Sequence, residues 1–307
     1  MGNTFYFEFE ITLMEWIQNM IGTIGVQIAS LFTMLGEEVI LVGILAFLYW
    51  CYDKEFAKSI GVGIVIGLVG NAVLKNLVLR RRPYFDSDRI KCLKPVHAES
   101  DIYDVAAQGF SFPSGHSTNS AMIFWGLLHR TYKKHEKLIR TILILLPIGI
   151  GISRVVLGVH YPTDVIVGWI MGGIIAFFFP CIKPKKENRW KLHLIIFLIS
   201  LTGVLFCKTF DYYTSLGVMA GFFIAIPFEE RFVNFKNTRE PIRIIFRLVI
   251  GMGLYIALNT LLKLPFDTAF LATPSAASFL IRTLRYALVT FMVIGVYPMS
   301  FGRIKTK

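Results

Sequence analysis

Charged residues are scarce in this sequence. Asp, Glu, Lys and Arg together make up 17% of its 307 residues, against about a quarter in a typical soluble protein. Hydrophobic residues make up 55%, and the mean hydropathy is +0.60. This balance excludes a soluble two-domain protein. It predicts an all-α fold, a polytopic bundle of transmembrane helices.

Acidic residues and cysteines are also few. The chain has 20 Asp and Glu against 32 Lys and Arg, which gives a formal net charge of +12. In a polytopic protein this excess is expected on cytoplasmic loops and at lipid headgroups, so it predicts no nucleic-acid partner. The four cysteines have no metal-ligand spacing and predict no disulfide framework. No carboxylate cluster indicates a metal ion, and we expect no cofactor.

The N-terminal stretch lacks the basic n-region of a cleaved signal peptide, so we expect the first spans to direct membrane insertion. Residues 10–33 have the pattern of an amphipathic helix lying in the membrane interface, with a slightly polar transmembrane helix as the alternative. Nine apolar runs follow, near residues 39–52, 56–79, 112–128, 138–157, 162–180, 192–207, 213–228, 242–262 and 276–298. We therefore divide the chain into an interfacial helix (1–36), a transmembrane core (37–182) and additional C-terminal helices (183–307).

Three polar blocks interrupt these runs, at the end of the second, at the start of the third, and between the fourth and the fifth. They read Lys75-x6-Arg82-Pro83, Pro113-Ser114-Gly115-His116 and Ser153-Arg154-x5-His160-x3-Asp164. Because successive spans alternate in direction, all three blocks are predicted to lie at one membrane surface. Ionisable residues at membrane depth are costly, which makes the blocks a predicted functional site.

The cations of these blocks suit a phosphoryl group. Arginine forks match phosphate oxygens bidentately, and lysine adds a point charge. Backbone N–H groups at a helix start point towards an anion, and Gly115 permits a close approach. Such fixed donors can neutralise a phosphoryl transition state without magnesium. The predicted phosphate ligands are Lys75, Arg82, Ser114, Gly115 and Arg154.

Two histidines and an aspartate could carry the chemistry. His160 can attack phosphorus through a neutral ring nitrogen, while Asp164 holds the opposite N–H and stabilises the cation that forms. His116 can protonate the leaving oxygen and later deprotonate the water that hydrolyses a phosphohistidine. The predicted catalytic residues are therefore His160, His116 and Asp164.

The three blocks together match the signature of the phosphatidic acid phosphatase type 2 family, which the chain resembles over roughly residues 37–180. That family also includes soluble vanadium haloperoxidases and acid phosphatases. The resemblance implies an α-helical phosphatase core, a phosphohistidine on His160, His116 as acid and base, and phosphate ligation by the five residues named above. The runs beyond residue 190 are not part of the common core.

The other notable polar and aromatic residues have simpler interpretations. Arg80 and Arg81 are interpreted as anchors whose side chains snorkel to the headgroups. The remaining histidines are expected in loops or at the interface: His97, His129, His135 and His193. Aromatic residues near the ends of the runs are expected in an interfacial belt: Trp50, Tyr52 and Trp190.

Orientation follows from the distribution of Lys and Arg. With nine spans, the side opposite the three blocks holds 20 of the 32 Lys and Arg residues, so that side is predicted to be cytoplasmic. The blocks would then face the cell exterior, a periplasm or an organelle lumen.

The leading interpretation is a membrane phosphatase acting on lipid phosphates, with other membrane lipids around it. Polyprenyl diphosphates, phosphatidic acid, phosphatidylglycerol phosphate and sphingoid base phosphates all fit as substrates. The alternatives are phosphoryl transfer to a lipid acceptor, hydrolysis of a sugar phosphate, and a non-enzymatic lipid transporter or scaffold. The C-terminal helices could gate the substrate, form a homo-oligomer contact or bind a second ligand.

Overall fold

The computed structural model describes residues 2–130, 136–182 and 188–302, and within them the secondary structure is helical, with no β-strand. The predicted all-α class is confirmed. The α-helices are α1 (Glu8–Leu35), α2 (Glu38–Phe47), α3 (Lys54–Val78), α4 (Pro83–Asp86), α5 (Val105–Gln108), α6 (Gly115–Leu127), α7 (Lys137–Val156), α8 (Pro162–Phe178), α9 (Arg189–Leu201), α10 (Phe210–Phe228), α11 (Pro241–Leu261), α12 (Thr268–Ala272) and α13 (Ala276–Phe291).

Several of these helices indicate an integral membrane protein. Among the described residues, α3, α7, α11 and the helical stretch Ala276–Gly302 are long and apolar enough to cross a membrane, and α1 and α2 form a fifth candidate if the pair, bent by 44°, is one span. The nine predicted spans are not confirmed. Helices α6 (13 residues), α8 (17) and α9 (13) are shorter than the roughly 20 residues of a typical span.

The chain forms two compact units. Unit 1 contains Met1–Leu41 and Val73–Cys181, and unit 2 contains Val42–Ala72 and Ile182–Lys307. All three polar blocks belong to unit 1, as does α1. The division at 36/37 and 182/183 that the sequence suggests stays a prediction.

Within unit 1, helices α6 and α8 approach each other closely through glycine. A Cβ on Gly172 would lie 2.6 Å from the carbonyl oxygen of Thr118, and one on Gly168 would lie 2.9 Å from that of Ser114. No larger residue fits there without moving a helix, because protein interiors are close-packed. This contact fixes the start of α6 against the start of α8, where two of the polar blocks lie.

Helix α1 covers the predicted segment 10–33 and is kinked at Gly22, whose φ is 58°. One side of the helix is apolar and exposed, with Trp16 59% and Ile24 74% accessible. Its buried side contains a carboxylate, Glu10, and a hydroxyl, Thr33, both fully inaccessible. Whether α1 lies in the interface or spans the bilayer stays a prediction.

The structure bears on the interpretation of two single residues in unit 2. Trp50 is not a belt residue, because it is 1% exposed and packs edge-to-face on Tyr297 at 5.1 Å between ring centroids. His193 is not in a loop, because it lies inside α9, where it stacks on Phe223 at 4.3 Å; its position at the membrane interface stays a prediction. His135 lies outside the described residues.

Candidate active site

Hydrogen bonds join the three polar blocks in unit 1. The Ser114 backbone N–H at the start of α6 donates to the carbonyl of Asp164 at 3.0 Å. The Arg82 guanidinium, after α3, donates to the carbonyl of Val159 at 2.8 Å and lies 3.3 Å from Nε2 of His160. The structure therefore brings together residues that are about 80 positions apart in the sequence.

His160 lies in the short loop between α7 and α8. Gly158 turns the chain there with a φ of 76°, and a Cβ on it would lie 2.2 Å from the carbonyl of Lys91, so only glycine suits this turn. The imidazole is 3% exposed, and its burial lowers the pKa of His160 well below the usual range. The charges of Arg82 and Arg154 lower it further. The ring is therefore neutral at neutral pH, as a nucleophile must be.

The tautomer of His160 follows from its neighbours. Because Nε2 faces a cationic donor, Arg82, that nitrogen carries the lone pair and Nδ1 carries the hydrogen. Nδ1 lies 3.4 Å from Oδ2 of Asp164. Loose catalytic hydrogen bonds of this kind often tighten only when the substrate is bound.

Asp164 is held in place from two directions. It is the third residue of α8, and its Oδ2 accepts from the Tyr161 backbone N–H at 2.8 Å, as the N3 side chain does in one half of a capping box. Its Oδ1 accepts from Arg80 at 2.7 Å, and the residue is fully buried. The carboxylate therefore has a fixed orientation before any substrate binds.

His116 is the second residue of α6 and lies beside a carboxylate that the sequence analysis did not single out for function. Its Nε2 is 3.5 Å from Oε1 of Glu37, which lies between α1 and α2. Gly36 allows this approach, because a Cβ there would lie 3.0 Å from the His116 ring. No periodic or spacing signal links Glu37 to a histidine 79 positions later.

The charges of three predicted phosphate ligands act on the His160 imidazole: Arg82, Arg154 and Lys75. Arg154 is 3% exposed and donates from Nη1 to the Thr33 hydroxyl at 2.5 Å, whereas its buried Nε has no hydrogen-bond partner within the described residues. A buried unpaired donor is costly, and a phosphate oxygen would satisfy it. Lys75 is half-buried in the last turn of α3, and its charge acts on His160.

Ser114 is the N-cap of α6, with Gly115 as the first helical residue. Pro113 thus directly precedes the cap. The Ser114 hydroxyl oxygen accepts from the Ser117 hydroxyl at 2.9 Å. This contact leaves the hydrogen of Ser114 for a phosphate oxygen.

Arg80 contacts Asp164 directly, and sequence reasoning did not assign it to the site. It is completely inaccessible and pairs with Glu10 at 2.6 Å and with Asp164 at 2.7 Å, so the prediction that it snorkels to the headgroups is wrong. Its neighbour Arg81 is partly exposed and pairs with Asp86. In a run of three arginines, the sequence gives no signal that separates the buried member from the others.

The described residues contain no group of three or more His, Cys, Asp or Glu arranged to hold a metal ion. An apolar cavity of about 680 Å³ lies in unit 2, between α9 and α10. No residue of the three polar blocks is among its lining residues. The cavity of unit 2 is therefore separate from the three polar blocks, whose cations Lys75, Arg82 and Arg154 belong to unit 1.

Comparison with known proteins identifies the family of the chain. Residues 56–188 match the model of the PAP2 superfamily, and residues 213–307 match the transmembrane extension of PAP2 superfamily phosphatases. The chain therefore belongs to the PAP2 superfamily. No solved structure matches the chain.

Relatives of known name include three membrane-lipid phosphatases. Over 127 residues the chain is 36% identical to phosphatidylglycerophosphatase B of Bacillus subtilis, covering 39% of this chain and 54% of that protein. It is 43% identical over 84 residues to lipid A 1-phosphatase of Rhizobium etli, covering 27% and 33%. It is 26% identical over 171 residues to undecaprenyl-diphosphatase of Sulfolobus acidocaldarius, covering 55% and 76%. The chain thus spans about half or less of the first two relatives.

Proposed function

We propose that this protein is an integral-membrane, metal-independent phosphatase that hydrolyses lipid phosphates through a phosphohistidine on His160. The observation that carries the proposal is the environment of that imidazole. His160 is buried, neutral and oriented, and its nucleophilic Nε2 is 3.3 Å from Arg82. A cation at this distance can hold a phosphate oxygen next to the nitrogen that attacks phosphorus.

In the first step, Nε2 of His160 forms a bond to phosphorus as the bond from phosphorus to the ester oxygen breaks. The imidazole gains positive charge, which Asp164 stabilises across the Nδ1–H. Arg82, Arg154 and Lys75 neutralise the charge that spreads over the phosphoryl oxygens. The leaving oxygen takes a proton from His116, which must be protonated at that stage.

In the second step, water displaces His160 from phosphorus. His116, now neutral, accepts the proton of that water, and the products are free phosphate and the original neutral imidazole. Glu37 lies 3.5 Å from His116, where its negative charge offsets part of the cost that burial and the charge of Arg154 impose on the protonated ring. The cycle needs two histidines with different roles, and binding alone would need neither.

The substrate class follows from the membrane setting and from the names of the relatives. We infer a phosphate monoester or diphosphate on a lipid, because the relatives are named for phosphatidylglycerophosphate, lipid A and undecaprenyl diphosphate. The polar blocks lie at the ends of apolar helices, so a substrate could keep its tail in the bilayer. Polyprenyl diphosphate, phosphatidic acid, phosphatidylglycerol phosphate and sphingoid base phosphates all satisfy these requirements.

The topology belongs to the same proposal. We infer nine spans with the site on the non-cytoplasmic side, because that arrangement places 20 of the 32 Lys and Arg residues on the opposite side. Cysteine labelling at an exposed loop residue near the site, such as His97→Cys in intact cells, tests it. Labelling by a membrane-impermeant reagent is expected, and protection until the cells are lysed would contradict the proposed side.

The activity is tested by phosphate release from purified protein in detergent. We expect release from at least one lipid phosphate of the four classes, undiminished by a chelator and blocked by vanadate. His160→Ala should abolish release, whereas His97→Ala, an exposed histidine in the loop before α5, should retain it. No release from any class would favour a lipid-binding protein, and full release by His160→Ala would refute the mechanism.

A further inference from the structure

Glu10 is a buried carboxylate near the start of α1. It is fully inaccessible. Its Oε2 accepts from Arg80 at 2.6 Å, and its Oε1 accepts from the hydroxyl of Thr163 at 2.7 Å and from the backbone N–H of Thr163 at 3.1 Å. Thr163 directly precedes Asp164, so the N-terminal helix contacts the chain immediately beside the predicted catalytic carboxylate.

Arg80 occupies the space between the two carboxylates. Its Nη1 donates to Asp164 and to the Thr163 hydroxyl, both at 2.7 Å, and its Nε donates to the carbonyl of Phe5 at 2.7 Å. The guanidinium carbon also lies 3.8 Å from the centroid of the Tyr161 ring. All three guanidinium nitrogens therefore have acceptors, and the side chain has one defined position.

The backbone leads Arg80 into this position. Helix α3 ends at Val78, and Leu79 has a φ of 54°, a left-handed conformation that is uncommon for a leucine. The N-terminal segment pairs with the same turn, because Asn3 donates to the Leu79 carbonyl at 2.7 Å and accepts from the Arg81 N–H at 3.1 Å. The first ten residues thus hold the turn on one side and the guanidinium on the other.

A purely structural role does not account well for this arrangement. Buried ion pairs contribute little to stability, because desolvation of the charges offsets their attraction. The network has a direct effect on the site: Arg80 holds Oδ1 of Asp164, which leaves Oδ2 directed at Nδ1 of His160, 3.4 Å away. Arg80 lies in the unspecified x6 stretch of the first block, and Glu10 lies outside all three blocks and outside the matched residues 56–188.

We propose that Glu10 and Arg80 are positioning residues that hold Asp164 in the orientation needed to direct His160. The N-terminal helix is then a working part of the active site. The inference rests on the proposed phosphatase function, and it assigns catalytic importance to a segment that precedes the matched domain.

The test compares Glu10→Gln and Arg80→Met with a matched surface pair. Glu8 and Arg89 form an exposed ion pair at 2.5 Å, with side chains 69% and 43% accessible, so Glu8→Gln and Arg89→Met are the controls. We expect kcat to fall about 10²-fold in each buried variant, because a misplaced catalytic group costs about that much. The controls should retain kcat.

Inhibition by inorganic phosphate separates positioning from loss of structure. The anion is held by Arg82, Arg154 and Lys75, which the variants leave in place, so its inhibition constant should change less than about twofold. A double variant, Glu10→Gln with Arg80→Met, should lose no more than Arg80→Met alone, because residues that act through one another are not additive. Additive losses, or a weakened phosphate constant equal to the loss of kcat, would overturn the inference.

Thr163→Val is a milder variant that decides the question if the buried charge variants do not fold. It removes the hydroxyl that joins Glu10 and Arg80 and keeps the shape of the side chain. A lower kcat with an unchanged phosphate constant supports the inference, and an unchanged kcat overturns it. The outcome for His160→Ala is independent: if that variant is inactive while Glu10→Gln matches Glu8→Gln, only the positioning role fails.

Discussion

Each structural unit contains a buried cluster of charged side chains. The two clusters differ in how many of their cations form salt bridges with carboxylates of the protein. In unit 2, Glu229 is fully buried and pairs with Lys54 at 2.9 Å and with Lys58 at 2.8 Å. Glu230 pairs with Lys58 at 3.2 Å and with Arg189 at 2.5 Å. Both carboxylates in this cluster therefore have cationic partners within the protein.

In unit 1, the cations around His160 include an arginine that forms no salt bridge with a carboxylate of the protein. Arg154 forms no salt bridge among the described residues, although the charge of Glu37 acts on it, and it donates a hydrogen bond to the hydroxyl of Thr33. Since a buried charge without a counterion is unfavourable, an anionic ligand would complete the cluster of unit 1. We therefore expect the cluster of unit 2 to be structural and the cluster around His160 to bind an anion.

The largest expected effect comes from breaking the cluster of unit 2. Glu229→Gln should lower the free energy of unfolding by about 3 kcal/mol, because it leaves Lys54 and Lys58 buried with fewer partners. Thermal unfolding in detergent measures this loss, while kcat per folded molecule should stay unchanged. Glu240→Gln, which affects an exposed pair with Arg243, is the control and should cost no more than about 0.5 kcal/mol. A Glu229→Gln protein with unchanged stability and a reduced kcat would contradict a structural role for the cluster of unit 2.

Arg154→Met, in the cluster around His160, should lower activity and leave stability unchanged or raised. Loss of one preorganised donor to the phosphoryl oxygens should lower kcat/KM on the order of 10²-fold, about 2.7 kcal/mol of transition-state stabilisation. Stability should be retained or raised, because the substitution removes a buried charge that forms no salt bridge. Steady-state kinetics and thermal unfolding of the same preparation give both values. A destabilised variant with normal kcat/KM would show that Arg154 is structural.

Glu37→Gln should have a smaller effect on the same cluster. Glu37 is partly exposed and 3.5 Å from His116, so its charge favours protonation of the ring only moderately. We expect kcat to fall about tenfold, equivalent to about 1.4 kcal/mol. Glu38→Gln, one residue later and exposed, is the control. Equal rates for both variants would exclude a role for Glu37 in the protonation of His116.

Metal removal should have the smallest effect. Fixed cations replace magnesium in the proposed mechanism, so dialysis against a chelator should leave kcat within about twofold of its starting value. Loss of activity that magnesium restores would contradict this account of the cluster.

The residues of the three polar blocks could be predicted from the sequence. The residues that hold them in place, Glu10 and Arg80, could not. The three polar blocks could be placed at one surface from alternating span direction, and the structure joins Arg82, His160 and Asp164 as a contact set, although their roles stay predictions. The position of Arg80 could not be predicted, because it depends on Glu10, 70 positions earlier, and on a left-handed turn at Leu79. Pairing over such distances leaves no periodic signal in one sequence.

The span count was less predictable for a different reason. Hydropathy detects apolar runs, but it does not show where an α-helix changes to a 3-10 helix or a π-helix, or where it is kinked. Helix α9 gives way to a 3-10 turn at Thr202–Leu205, and α2 continues as a π-helix at Leu48–Tyr52. The kink at Gly22 in α1 likewise follows from local backbone geometry.

Trapping the covalent intermediate tests the central claim most directly. His116→Ala, incubated with 4-nitrophenyl phosphate, whose leaving group needs little protonation, should accumulate a phosphoryl group because the attacking water lacks its base. After an alkaline quench, peptide mass spectrometry is expected to find that group on His160, and none in a variant that also carries His160→Ala. A phosphoryl group on another side chain, or turnover that continues without His160, would contradict the account.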